Sequence, residues 1–304
     1  MRSFSKSSPP PLVSIILPVY NVDRYLASSL DSLINQSYSH LEIIAINDGS
    51  TDSSLSILNS YANADKRIHV LSNKENLKIS HTLNLGISKA KGKFIARMDA
   101  DDIALPNRIK KQVQYHLSHP DTVIVGGQCQ TIDTNSSITG HKRFPITHEA
   151  IKDGLFTGNP IQHPSAMINR LLLPKNFNWY DPTLPPAEDL DLFFRLGKYG
   201  KYANLKSCVL KYRQYLGSET FKNPLLTFSL TQKVRQIAVK KYSYKPSLKA
   251  RIINFMQIIL VSILPESLIY PVYLTLRGSS SPAKIVGSIF HQVKHSFKLS
   301  FFPE

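Results

Sequence analysis

Four short apolar runs, each followed by a helical pattern, constrain the fold of this chain more than any other feature. Val13-Ser14-Ile15-Ile16-Leu17 ends at Pro18, Leu41 to Ile46 follows, then Ile68-His69-Val70-Leu71, then Phe94 to Met98. Between them Tyr25, Leu26, Leu30, Leu33 and Ile34, then Leu55, Ile57, Leu58 and Tyr61, then His81 to Ala90 recur at helical spacing. Strands that alternate with helices need crossovers, so this half predicts a mostly parallel, Rossmann-like sheet with helices on both faces. Further on, the residues after Pro106, His148 to Leu155 and Glu188 to Tyr199 read as helices. Thr122 to Gly127 reads as a strand and Val209 to Tyr215 as a closing edge strand.

The fourth run leads straight into Asp99-Ala100-Asp101-Asp102. Carboxylates crowded at a strand end repel one another and resist desolvation, and a hard divalent cation with oxygen ligands relieves both. Ligands of open α/β sheets bind just past the carboxyl ends of the strands, where this cluster stands. Asp99 and Asp101 are two apart, hence on one face of an extended end, and share the ion. Asp102 is expected to point elsewhere.

Three other strings carry polar chemistry. Asn47-Asp48-Gly49-Ser50-Thr51-Asp52 follows the second run; it is either a capped turn or a place where a carboxylate meets a nucleobase edge. Pro18-Val19-Tyr20-Asn21 ends the first run, and its tyrosine either stacks on a base or fills the core. Ala187-Glu188-Asp189 opens a helix, where acids either favour the helix dipole or offer a base aimed into a cleft.

In this order the four strings resemble glycosyltransferase family 2, over roughly Leu12 to Ser218. The resemblance implies the nucleotide-diphospho-sugar transferase (GT-A) fold and inverting transfer from a nucleotide-activated sugar to a hydroxyl. It implies Asp48 at the base with Pro18 and Tyr20 beside it, and Arg97 and Asp99 at the nucleotide sugar. Asp101 is then the direct ligand of Mn²⁺ or Mg²⁺ with Asp99 beside it, and Asp189 the catalytic base. Glu188, His163 of Asn159-Pro160-Ile161-Gln162-His163-Pro164, and Arg213 of Tyr212-Arg213-Gln214-Tyr215 are candidate acceptor or diphosphate contacts; a structural role for His163 stands beside that. Two departures are visible: Lys78 where many relatives carry glycine, and Tyr215 in place of a histidine. There is no Gln-x-x-Arg-Trp string of processive synthases, so single-sugar addition is expected. Bacterial surface polysaccharide or lipopolysaccharide synthesis is the setting the resemblance implies. The alternatives are a nucleotidyltransferase, which lacks here a Gly-x-Gly-x-x-Arg loop after the first strand, and a non-catalytic membrane-associated module.

Charge divides the chain. The net charge is +16, and twelve Lys/Arg against two acids lie in residues 221–304. Ile252 to Leu264 is apolar but shorter than the roughly 20 residues of a membrane span. Val286, Phe290, Val293 and Phe297 recur at helical spacing among Lys284, Lys294 and Lys298. Such a basic amphipathic region suits an anionic membrane surface or packs on the domain. The cations are not interleaved with exposed aromatics, so no nucleic-acid partner is expected. The division expected is a flexible leader over 1–11, a transferase domain over 12–218 and a basic helical region over 219–304. Cys129 and Cys208 fit no metal spacing and read as buried thiols of a reducing compartment. The expected place is the cytoplasm, at the inner face of the cell membrane, next to a glycan or lipid-linked acceptor.

Overall fold

The apolar runs become β1 (Val13–Val19), β2 (Leu41–Asp48), β3 (Ile68–Asn73) and β4 (Phe94–Arg97) in the computed structural model, which describes residues 9–214 and 223–265. They pair in parallel in the order β3-β2-β1-β4. α1 (Asp23–Ile34), α2 (Ser54–Ala64) and α3 (Ile79–Lys89) make the crossovers. Side chains alternate between the faces of each strand. Ile16, Ile44 and Ile46 meet Leu83 and Ile87 of α3, while Val13, Ile15 and Leu17 join Leu26 and Leu30 of α1 and Leu58 of α2. Helices on both faces explain why β2 is buried at every position. Each such Leu or Ile contributes about 1.5–3 kcal/mol. β1 continues through Pro18 because β4 pairs with it only as far as Ile16, so no ladder bond on that side needs the missing N–H.

Beyond β4 come β5 (Ile103–Ala104), α4 (Arg108–Ser118), β6 (Thr122–Ile132), β7 (Ile138–Lys142), α5 (His148–Leu155), β8 (Met167–Asn169), α6 (Glu188–Leu196) and β9 (Lys201–Arg213). The sheet runs on as β4-β8-β6-β9-β5, with β7 beside β6. β8 is antiparallel to both neighbours, whereas β6 and β9 are parallel. The α/β sandwich is therefore as expected in its first half and mixed in its second. β9 differs from the expected edge strand: it starts at Lys201 and lies between β6 and β5. Its early residues hide the strand because their polar groups are satisfied inside. Asn204 Nδ2 donates to Pro145 O (2.7 Å) and Pro160 O (2.9 Å), and Tyr202 Oη donates to Phe193 O (2.9 Å).

Two helices follow, α7 (Pro224–Lys241) and α8 (Leu248–Ile263). Val234 and Ala238 of α7 and Ala250 of α8 join the core with Phe193 and Phe194 of α6. Tyr242 Oη donates to Asp191 Oδ1 (2.7 Å). Ser247 donates to Asp153 Oδ2 (2.8 Å) while its Oγ accepts from Ala250 N (3.1 Å), capping α8. This part of the basic region thus packs on the preceding domain. No helix of the described residues is long and apolar enough to cross a membrane. Both cysteines are free thiols, Cys129 buried and Cys208 half-buried. Most of the expected leader, Tyr215 and the helical stripe from Val286 lie outside the described residues.

Candidate active site

The first two polar strings interlock at the carboxyl ends of β1 and β2. Asn21 takes a left-handed conformation (φ 47°), which asparagine tolerates better than most residues. There its Oδ1 accepts from Thr51 N (2.8 Å), its own N–H donates to Ser50 Oγ (3.1 Å), and Asp23 N donates to Asp52 Oδ2 (3.0 Å). Tyr20 stays 47% exposed on this turn, so the core reading of that ring falls away.

Asp48 has a role in the fold beside the expected one at the base. It is buried; Oδ1 accepts from Asn73 Nδ2 (2.7 Å) and Leu77 N (3.0 Å), and Oδ2 accepts from Lys78 N (3.1 Å). Three bonds use most of what a carboxylate can accept, so this side chain chiefly fixes the loop between β3 and α3. Gly49 (φ 69°) runs against that loop, and a Cβ there would stand 2.6 Å from Glu75 C. Lys78 holds φ 72° and ψ 165°, a conformation natural to glycine. Lys78→Gly is therefore expected to stabilise the protein by about 1 kcal/mol, read as a higher urea midpoint at unchanged slope. A lower midpoint would show that the lysine side chain outweighs the backbone cost.

The acid cluster forms at the end of β4. Ligand atoms of Asp99, Asp101 and Asp102 all lie within 4.8 Å of one another. Asp102, expected to point away, belongs to the cluster: it is fully buried, its Oδ1 accepts from Arg213 N (2.8 Å), and Oδ2 has no hydrogen-bond partner. Burial, followed by the charges of Asp101 and Asp99, pushes its carboxyl well above the usual range. An all-oxygen donor set with an orphaned buried oxygen fits a hard divalent cation such as Mg²⁺ or Mn²⁺.

Two buried arginines stand against these acids. Arg97 Nη2 pairs with Asp99 Oδ1 at 2.5 Å, while its Nε and Nη1 are buried without a hydrogen-bond partner. Burial opposes its charge, but Asp99 and Asp102 more than restore it. Beneath it, Arg108 Nη2 donates to Arg97 O (2.6 Å). Arg213, expected near the diphosphate, is committed elsewhere. Its Nε donates to Asp101 O (2.8 Å), Nη1 to Asp133 O (2.6 Å) and Nη2 to Ser136 Oγ (3.1 Å), and the guanidinium lies over the Tyr25 ring at 4.2 Å. Through these bonds it positions the acid loop.

Facing Arg97 is the start of α6. Asp189 Oδ2 accepts from Asn159 Nδ2 (2.6 Å) and Oδ1 from Leu190 N (2.7 Å). Burial raises its carboxyl above the usual range, against the pull of those two donors and of Arg97. Burial and then the Asp189 charge lift Glu188 to about 8, and its Oε2 has no partner. His163 is buried, with Nε2 2.8 Å from Tyr180 Oη, and burial and Arg97 drive its pKa well down, leaving a neutral structural imidazole. Tyr180 in turn is fastened to α3, its O accepting from Asn84 Nδ2 (2.8 Å) and its N donating to Asn84 Oδ1 (3.0 Å). Sequence reasoning missed Asn159, Tyr180 and Arg108. Only Asn159 had a signal, its place in the string that ends in His163-Pro164.

Comparison with known proteins follows the same lines. The family model described as glycosyl transferase family 2 matches residues 14–173. An uncharacterized glycosyltransferase of Haemophilus influenzae is 31% identical over 304 residues, 95% of this chain and 92% of its own. The O-antigen biosynthesis glycosyltransferase WbnJ of Escherichia coli is 31% identical, over 81% of this chain and 92% of its own. Staphylococcus aureus TarS 1-349 in complex with UDP-GlcNAc superposes with a TM-score of 0.58 at 18% identity, over 80% of this chain and 78% of that one. The mannosyltransferase PcManGT from Pyrobaculum calidifontis, in complex with GDP-Man and Mn²⁺, gives 0.55 at 14% identity, over 90% and 85%. At these identities the two structures speak for a shared GT-A fold.

Proposed function

The chain belongs to glycosyl transferase family 2, and from that premise we propose that it moves a sugar, with inversion, from a nucleotide-diphospho-sugar to a hydroxyl of a glycan or lipid-linked acceptor. The observation that carries the reading is Arg97, which bridges two sets of acids: it pairs with Asp99 and acts on the charge of Asp189 across the site. The nucleobase lies beside Tyr20 in the crevice walled by the loops that Asn21 and Asp48 fix. Asp99 and Asp101, with Asp102 behind them, would hold Mn²⁺ or Mg²⁺, whose charge offsets that of the departing diphosphate. Arg97, whose buried Nε and Nη1 have no hydrogen-bond partner, adds a fixed positive charge beside the same phosphates.

Asp189 takes the proton of the acceptor hydroxyl as its oxygen attacks the anomeric carbon on the face opposite the diphosphate. The carbon–oxygen bond to the nucleoside diphosphate breaks, and its electron pair leaves with the phosphate oxygen. A raised carboxyl is a better base than an ordinary one at the same geometry. Glu188 stays protonated to about 8, so the pair does not carry two adjacent charges. A surface glycan as product is supported by the description of the WbnJ relative. On this reading residues 12–218 form the transferase domain, and 219–304 a basic region that keeps the enzyme peripheral at the inner face of the cell membrane.

A thermal-shift screen of UDP-, GDP- and dTDP-sugars, each with Mn²⁺, Mg²⁺ or chelator, tests the donor and the metal together. A donor at a hundred times its Kd adds about 2.7 kcal/mol. That is expected to raise Tm by about 4–6 °C, with metal only. Absence of a shift with every donor and metal would remove the proposal.

A further inference from the structure

α8 shows two unlike faces. One holds the domain: Ala250 is buried, Asn254 Oδ1 accepts from Arg235 Nη1 (2.6 Å), and Gln257 Nε2 donates to Thr157 O (2.8 Å). The other carries Leu248, Ile252, Phe255, Met256, Ile259 and Ile263, which are 39–75% exposed. Their spacing of three and four residues gathers them into one sector of the helix. A continuous apolar stripe on a surface otherwise rich in cations marks an interaction site.

Charge selects the occupant. Residues 223–265 hold seven Lys/Arg and no Asp or Glu, and all but Arg235 are exposed. Lys249 and Arg251 border the stripe on either side. A second copy laid stripe to stripe would bring these cations together. The following residues, 266–304, carry four Lys/Arg against two acids and would repel them as well. An anionic bilayer satisfies both the apolar sector and its basic border. The stripe is about 22 Å long at ~1.5 Å per residue, short of the ~30 Å hydrocarbon core, so the helix lies in the interface plane.

We propose that the exposed face of α8 is a membrane-docking surface, with the apolar stripe inserted among the lipids and the flanking cations at anionic headgroups. It rests on the peripheral placement above and not on the transfer chemistry. The docked helix also abuts the acceptor side of the site. Thr157, held by Gln257, is two residues from Asn159, which holds Asp189.

The test uses the full chain, sedimented with phosphatidylcholine vesicles with or without phosphatidylglycerol. The wild type is expected to bind the anionic vesicles and to be released by salt. Phe255→Glu with Ile259→Glu is expected to weaken binding at least about tenfold. Ile252→Ser with Met256→Ser, a milder pair, lowers it in the same direction. Both pairs sit on exposed positions, and unchanged melting and donor-induced shifts confirm that the fold is kept. Double variants that bind as the wild type does would overturn the docking face yet leave peripheral placement standing. A wild type that stays in the supernatant with anionic vesicles would overturn both. A wild-type dimer that Phe255→Glu converts to monomer would make the stripe a contact between copies and overturn the lipid assignment.

Discussion

Asp189→Asn is expected to slow sugar transfer by about 10²–10⁴-fold while the donor-induced thermal shift stays as in the wild type. The asparagine keeps a carbonyl oxygen for Asn159 or Leu190 N, so the start of α6 stays in place, but it takes no proton from the acceptor. The pH profile gives a second reading. The base must be ionised, and burial raises its carboxyl, so the acid limb of wild-type kcat/KM lies above the ordinary carboxylate range. Activity therefore rises with pH through that limb, and the variant lacks it. Turnover near the wild-type rate, or an acid limb that survives the substitution, would move the base elsewhere.

Asp101→Ala is expected to abolish the metal-dependent shift by the donor and to lower transfer by about 10²–10³-fold, the scale of several kcal/mol of charge stabilisation. The loop itself is expected to survive, because Arg213 Nε holds the backbone oxygen of Asp101, which the substitution keeps. Chelation of the wild type should reproduce the variant. A full donor shift that still depends on metal in Asp101→Ala would place the cation on other ligands.

Local patterns revealed the parallel half of the sheet because both faces of β1, β2 and β4 are covered, which leaves nearly unbroken apolar runs. The reversal at β8 was hidden: Met167 to Asn169 is too short to show a period, and its direction follows from a long loop. The site split in the same way. The crowding of Asp99, Asp101 and Asp102 is visible in one dimension, and so is Glu188-Asp189 at a helix start. The direction in which a side chain spends its hydrogen bonds is not. Asp48 was read as facing a nucleobase, and the sequence gives no hint that it also accepts three hydrogen bonds from the next loop, as Arg213 bonds three oxygens of its own chain. Asp102 was set outside the cluster on strand alternation, but the chain has already left the strand at Arg97 and turns there. The pairing of Asn159 with Asp189 joins residues 30 apart, and no local pattern encodes it.

Arg213 ends β9, and its amide and guanidinium hold Asp102 and Asp101. β9 therefore works as a ruler. Its unbroken parallel register against β6 from Leu210 onward sets how far the chain reaches to the acid loop. Between Leu210 and Arg213 the register runs without a shift, so removing one residue there would pull Arg213 back by about 3.3 Å and turn the following side chains to the opposite face. Surface loops of this molecule can change length at little cost, but the stretch of this strand from Leu210 to Arg213 cannot. In it, residue count is itself part of the active site.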